Sequence, residues 1–144
     1  MTKAQECALR LLTRREHSTK ELKEKLKQKG FLQEEIEAAL VYCQHLNYQC
    51  DSRFTASYMR SRIAQGYGPL KILHELKQKG VEASLIEKEL GKEQENWYSY
   101  AFNVWQKKYK GKKPSSFIEV QKQQQFLLYR GFDRDIIIKV IKNQ

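Results

Sequence analysis

The chain has 144 residues, and its 27 lysine and arginine residues against 17 aspartate and glutamate residues give a formal net charge of +10. This length fits one ordinary domain or a few small modules and excludes a large multidomain enzyme. Because 40% of the residues are apolar and 31% are charged, the composition predicts small hydrophobic cores in an elongated, curved body with a large polar surface.

The apolar residues recur at helical spacing along the whole chain, and no segment shows the alternation of a strand. The sequence therefore predicts an all-α fold of nine helices, with starts marked by capping residues and by a first-turn proline. The predicted helices cover residues 2–14, 19–29, 34–46, 52–65, 69–79, 83–91, 94–110, 116–129 and 133–142. The residues that mark helix starts are Ser18 with Glu21, Asp51, Pro69, and Ser116 with Glu119.

Three glycines, Gly30, Gly80 and Gly131, reveal an internal repeat of about 50 residues. Each follows a basic last helical turn and precedes an apolar residue, which is typical of a helix that ends in a residue with positive φ. The repeat predicts three tandem three-helix modules, covering residues 1–48, 49–92 and 93–144.

The positive charge is concentrated in the third module. Residues 101–144 hold ten basic and three acidic side chains, whereas basic and acidic residues nearly balance in the rest of the chain. Such an excess of like charge favours an anionic partner. Its densest part is the cluster Lys107, Lys108, Lys110, Lys112 and Lys113.

The segment from Gly66 to Pro69 places Tyr67 between two glycines and ahead of a proline. One interpretation is a sharp turn that only sets the angle between two helices. The other is an exposed tyrosine on a rigid loop. Its basic neighbours Arg60, Arg62 and Lys71 then form a patch that binds phosphate or an acidic protein groove.

Nothing in the sequence indicates catalysis, a metal or a cofactor. Phosphate-binding loops, zinc-protease motifs and nucleophile elbows are absent, and Cys43, His45 and Cys50 lack the paired spacing of a zinc site. Three cysteines, an odd number, suit reduced thiols, and no apolar run is long enough for a signal peptide or a membrane span. We expect a cytoplasmic, monomeric, non-enzymatic protein without a membrane contact.

Four segments follow one another in order over nearly the whole chain: REHSxxEL at 15–22, DxRFxxxYxRxR at 51–62, GYGPxxIxxELxxKGV at 66–81 and FLLYRGF at 126–132. Together they resemble the RecX family of bacterial regulatory proteins. The segment at 66–81 is the most specific of the four.

The resemblance implies tandem three-helix repeats that bind the filament of the RecA recombinase on single-stranded DNA. It also implies inhibition of ATP hydrolysis, of strand exchange and of the coprotease activity behind the SOS response, with weaker, non-specific binding to single- and double-stranded DNA. Partner-binding positions carried over to the middle module are Arg60, Arg62, Tyr67, Lys71, Lys77 and Lys79.

The competing hypothesis is a stand-alone helical DNA-binding module, whose charge serves phosphates without a protein partner. That version predicts a steep dependence of DNA affinity on salt. Binding to recombinase without DNA would count against it.

Overall fold

Nine helices provide the regular secondary structure of residues 1–142, the part of the chain that this computed structural model describes, and no strand occurs there. The all-α prediction is confirmed, and every predicted helix boundary lies within three residues of the observed one. The helices are α1 (Lys3–Arg14), α2 (Thr19–Gln28), α3 (Gln33–His45), α4 (Asp51–Ala64), α5 (Pro69–Gln78), α6 (Ala83–Gly91), α7 (Trp97–Tyr109), α8 (Phe117–Tyr129) and α9 (Arg134–Lys142). No helix within residues 1–142 is both long and apolar enough to cross a membrane.

The predicted helix starts are largely confirmed. Ser18 forms the full capping box with Glu21 at the start of α2. Ser116 accepts a hydrogen bond from the Glu119 amide at the start of α8, but the Glu119 carboxylate accepts from Ser115 instead of completing the box.

The prediction that Asp51 caps α4 is wrong, because Asp51 is the first helical residue. Its carboxylate accepts hydrogen bonds from the Thr19 amide at 2.9 Å and from the Gln49 side chain at 3.0 Å. Asp51 therefore stabilises the start of α2, which lies far from it along the chain.

The three repeated glycines end their helices in the same way. Gly30, Gly80 and Gly131 have φ values of 90°, 79° and 98°. At each stop, the residue after the glycine donates to the carbonyl four residues before the glycine, as in Phe31 to Leu26, and the glycine itself donates to the third residue before it. This is the Schellman motif, which satisfies carbonyls that a helix end leaves unpaired.

The described chain divides into two compact units, and each unit contains part of the middle repeat. The first unit contains residues 1–58 and 76–86. Its core is built by α1, α2 and α3, whose apolar faces meet. The fully buried side chains there include Ala8, Leu22, Leu26, Ala39 and Cys43.

The second unit contains residues 59–75 and 87–144, and its last two residues lie outside the described range. Trp105 of α7 is the largest of its fully buried side chains, and the Trp105 indole N–H donates to Gln123 of α8 at 2.7 Å. The Gln123 amide in turn donates to the Lys112 carbonyl. The buried polar groups are thus paired with each other, as a stable core requires.

Each unit contains one junction between successive repeats, and the two junctions use equivalent positions. In the first junction, the Ser18 hydroxyl donates to the Lys79 carbonyl at 2.8 Å. In the second junction, the Gly68 amide, 50 residues later, donates to the Arg130 carbonyl at 2.7 Å. In both cases the start of one repeat's second helix docks on the glycine stop of the next repeat.

The second junction is a close approach of two backbones. A Cβ atom on Gly68 would lie 2.6 Å from the backbone of Gly131, and one on Gly131 would lie 2.5 Å from the Lys71 side chain. Only glycine fits at these two positions.

Candidate anion-binding site

Tyr67 is fixed by the turn that ends α4. Gly66 has a φ of 92°, and its amide donates to the Ile63 carbonyl. The Tyr67 amide donates to the Arg62 carbonyl at 3.1 Å. This is a further Schellman motif, and Tyr67 occupies the position whose side chain packs back on the helix end.

Three cationic side chains surround the Tyr67 ring. The guanidinium carbon of Arg62 lies 4.0 Å from the ring centroid, that of Arg130 lies 5.3 Å away, and the Lys71 ammonium lies 5.0 Å away. Cations at such distances are attracted to an aromatic face. We call Arg62, Tyr67, Lys71 and Arg130 the Tyr67 cluster.

The positive charge of the Tyr67 cluster is only partly neutralised. Arg62 forms a two-pronged ion pair with Glu75, with N–O distances of 2.7 and 2.9 Å. Arg130 donates to the Gln65 carbonyl. Within residues 1–142, no carboxylate lies within 4.0 Å of the charged groups of Lys71 or Arg130. Two cations therefore remain available to an external anion.

The first junction has an acid at the position equivalent to Lys71. There the chain has Glu21, which accepts from Arg15 and from Lys79, each at 3.1 Å, and from the Ser18 amide. Burial alone would raise the pKa of Glu21, but these hydrogen bonds outweigh it and lower the pKa to about 2. The two junctions thus differ in charge at this equivalent position. Glu21 pairs with the cations around it in the first junction, whereas Lys71 adds a positive charge to the second.

His17 occupies the position equivalent to Tyr67 in the first junction. Its side chain is buried, its Nδ1 donates to the Arg15 carbonyl, and its Nε2 accepts from the Lys25 ammonium at 2.9 Å. Burial lowers the pKa of His17. This histidine therefore has a structural role in the connection between α1 and α2.

A cleft of about 550 Å³ adjoins the Tyr67 cluster in the second unit. Its floor is partly apolar, and Phe126 forms one wall. Arg130 lies 5.3 Å from the Phe126 ring as well as from Tyr67, and the Lys108 ammonium lies 5.6 Å from Phe126. We call it the Phe126 cleft; the residues that line it include Ile63, Tyr100, Asn103, Val104, Lys107, Lys108 and Phe126, with Arg130 at its border with the cluster.

The structure brings together part of the predicted partner-binding set. Arg62, Tyr67 and Lys71 form one cluster, and Lys107 and Lys108 line the adjoining cleft. Arg60 is exposed on α4. The other three lysines of the predicted cluster lie in the exposed turn after α7; they are Lys110, Lys112 and Lys113.

The other two predicted residues belong to the first unit. Lys77 is exposed on α5. Lys79 is half-buried, pairs with Glu21 and lies 5.2 Å from the Tyr58 ring. Its ammonium is therefore already engaged by the protein itself.

Arg130 is the member of the cluster that sequence reasoning missed as a binding residue. It stands directly before a repeated glycine, where Lys29 and Lys79 stand in the other repeats. Since the second junction docks on that glycine, the alignment of repeats could have placed Arg130 beside Tyr67. The periodicity of single helices contains no such information.

Tandem three-helix repeats, in which the second helix of one repeat starts against the glycine stop of the next, define a helical-repeat protein. Its candidate site is a basic surface around an aromatic ring. The chain belongs to the RecX family of regulatory proteins. Models of the first, second and third three-helix domains of RecX match residues 4–43, 51–90 and 94–141.

Similar proteins support the family membership over nearly the full chain. The Legionella pneumophila regulatory protein RecX is 58% identical over 142 residues, which are 99% of this chain and 95% of that protein. The Vibrio parahaemolyticus regulatory protein RecX is 40% identical, covering 93% and 86% of the two chains. The crystal structure of RecX from Lactobacillus salivarius has a TM-score of 0.80 at 23% identity and shares the fold over 98% of this chain and 94% of that one.

Proposed function

We propose that this protein is a negative regulator of the RecA recombinase that binds the RecA–single-stranded-DNA filament and inhibits ATP hydrolysis, strand exchange and coprotease activity. Family membership supports a regulatory role, because the similar proteins bear the name regulatory protein RecX. Protein acids and DNA phosphates are both anions, so a basic surface suits either part of such a filament.

The observation that carries the proposal is the unpaired positive charge of Lys71 and Arg130 in the Tyr67 cluster. Within residues 1–142, Lys71 and Arg130 lie near one ring with no acid beside them, and such uncompensated like charge favours an anionic partner. Lys107 and Lys108 extend the positive surface along the adjoining cleft. In the equivalent first junction, by contrast, Arg15 and Lys79 both pair with Glu21.

The test is the ATPase activity of RecA on single-stranded DNA, with the wild-type protein and with the variant Lys71→Glu. Glutamate at position 71 supplies the acid that Glu21 supplies in the first junction, so the variant should fold. We expect the concentration for half-maximal inhibition to rise on the order of tenfold, because an attraction becomes a repulsion. Arg62 is left unchanged because its pair with Glu75 stabilises the fold.

Lys88→Glu is the matched control, because Lys88 is an exposed lysine on α6 and forms no ion pair within residues 1–142. It makes the same change in net charge and should inhibit nearly as the wild type does. Undiminished ATP hydrolysis with the wild-type protein would contradict the proposed function. Tight DNA binding in that case would favour the stand-alone DNA-binding module.

A further inference from the structure

From the geometry of the second unit, we infer that the Phe126 cleft is a nucleotide subsite that receives one unstacked base of single-stranded DNA, with its flanking phosphates on Arg130 and Lys108. The inference deepens the proposed function and rests on it, since it names which part of a nucleoprotein filament this face engages.

The Phe126 cleft has the size and lining of a small-ligand site. Its volume of about 550 Å³ falls in the range of roughly 300–1,000 Å³ common to such sites. Ile63, Val104 and Phe126 supply apolar surface, and Asn103 supplies an amide that can donate to and accept from a base edge.

Cations and rings alternate from the cleft into the Tyr67 cluster. Lys108 and Arg130 lie 5.6 and 5.3 Å from the Phe126 ring, and Arg130 and Lys71 lie 5.3 and 5.0 Å from the Tyr67 ring. A single nucleic-acid strand presents phosphates and flat bases in alternation. Proteins bind it with positively charged grooves and aromatic stacking partners.

The charges at the cleft are available to phosphates. Within residues 1–142, no carboxylate lies within 4.0 Å of the charged groups of Lys107, Lys108 or Arg130. Phe126 is half-buried and contacts the Tyr109 ring edge to face, with the two centroids 5.7 Å apart. An acidic peptide would satisfy the cations, but it has no planar group to stack on the remaining surface of Phe126. The combination therefore favours single-stranded nucleic acid over an acidic peptide.

The test compares the affinity of the full chain for labelled oligothymidylate and for an abasic oligodeoxynucleotide of the same length, by fluorescence anisotropy. Both strands carry the same phosphates, so a difference reports the bases alone. We expect oligothymidylate to bind roughly five- to hundredfold more tightly, because this is the gain in affinity that the stacking of one base on an aromatic ring provides. Phe126→Leu should abolish most of this preference while keeping every charge.

Tyr129→Leu is the control, because Tyr129 is an exposed ring on the same helix that does not line the cleft. It should keep the preference for bases. If Phe126→Leu fails to fold, Val104→Met replaces it, since the longer aliphatic side chain narrows the cleft without adding a ring or removing a charge and must also weaken the preference.

Equal affinity for the two strands would overturn the inference, as would a preference that survives both cleft variants. A competition experiment gives a further check. If polyglutamate displaces the labelled strand as effectively as unlabelled oligothymidylate does, the inference is overturned in favour of an acidic-peptide surface. These outcomes are separate from the proposed function: inhibition of RecA without base preference refutes only the subsite. Base preference without inhibition refutes only the regulatory role.

Discussion

One pair of equivalent side chains, Glu21 and Lys71, distinguishes the two junctions. Glu21 is held by Arg15 and Lys79 and completes a closed network. Lys71 faces a tyrosine ring that also attracts Arg62 and Arg130. Net stabilisation from each ion pair is small at a surface, so the larger consequence is electrostatic. In the first junction Arg15 and Lys79 share one carboxylate, whereas Lys71 and Arg130 in the second junction have no carboxylate within ion-pair distance in residues 1–142.

Glu21 gives a pH-dependent prediction. Its pKa in the folded protein is about 2, below the ordinary value of 4.5, so its stabilising contribution is complete above pH 4.5 and is lost as the pH falls through about 2. At pH 7, Glu21→Gln should lower the free energy of unfolding by about 1–2 kcal/mol. Urea unfolding should show this gap closing as the pH falls below 4.5.

Glu24→Gln serves as the control for this series. Glu24 is exposed on α2 and forms no ion pair within the described residues. Its replacement should leave stability within about 0.5 kcal/mol of the wild type at pH 7. A gap for Glu21→Gln that persists unchanged at low pH would contradict the role of its ionised carboxylate.

At the scale of the elements, a glycine stop can allow a left-handed backbone and can also make room for a neighbouring repeat. Substitutions at two glycines separate these roles. Gly30 and Gly131 have similar φ values of 90° and 98°, but a Cβ on Gly30 meets nothing within 4 Å, whereas one on Gly131 collides with Lys71. Gly30→Ala should therefore cost about 1–2 kcal/mol for the left-handed backbone. Gly131→Ala should cost about 1–3 kcal/mol more, because the junction must shift.

Chemical unfolding of the two variants measures that difference directly. Equal losses of stability would show that the second junction yields to an added methyl group at no cost. The same result would weaken the claim that this docking fixes Arg130 beside Tyr67.

The sequence predicted the helices well because their signals are local. Apolar spacing, capping residues such as Ser18 and glycine stops such as Gly80 all act within one or two turns. Asp51 was misassigned because its partner, the Thr19 amide, is distant in sequence. The same limit applies to Lys79, whose ammonium pairs with Glu21, a partner distant in sequence; its role in partner binding stays a prediction.

At the scale of the whole molecule, the candidate site depends on contacts between repeats. Tyr67, Arg62 and Lys71 could be grouped from the sequence, since they flank one loop. Arg130 and the Phe126 cleft come from the following repeat, and only the docking of Gly68 on the Arg130 carbonyl brings them there. The predicted module limits of 1–48, 49–92 and 93–144 stay predictions, although each family match lies within one of them.

The central claim is that the Tyr67 cluster faces the recombinase filament. A reconstruction of the RecA–single-stranded-DNA filament with this protein bound tests it most directly. We predict that recombinase acids or DNA phosphates lie within ion-pair distance of Lys71 and Arg130. A reconstruction in which the protein occupies the filament while both side chains face solvent would contradict the claim.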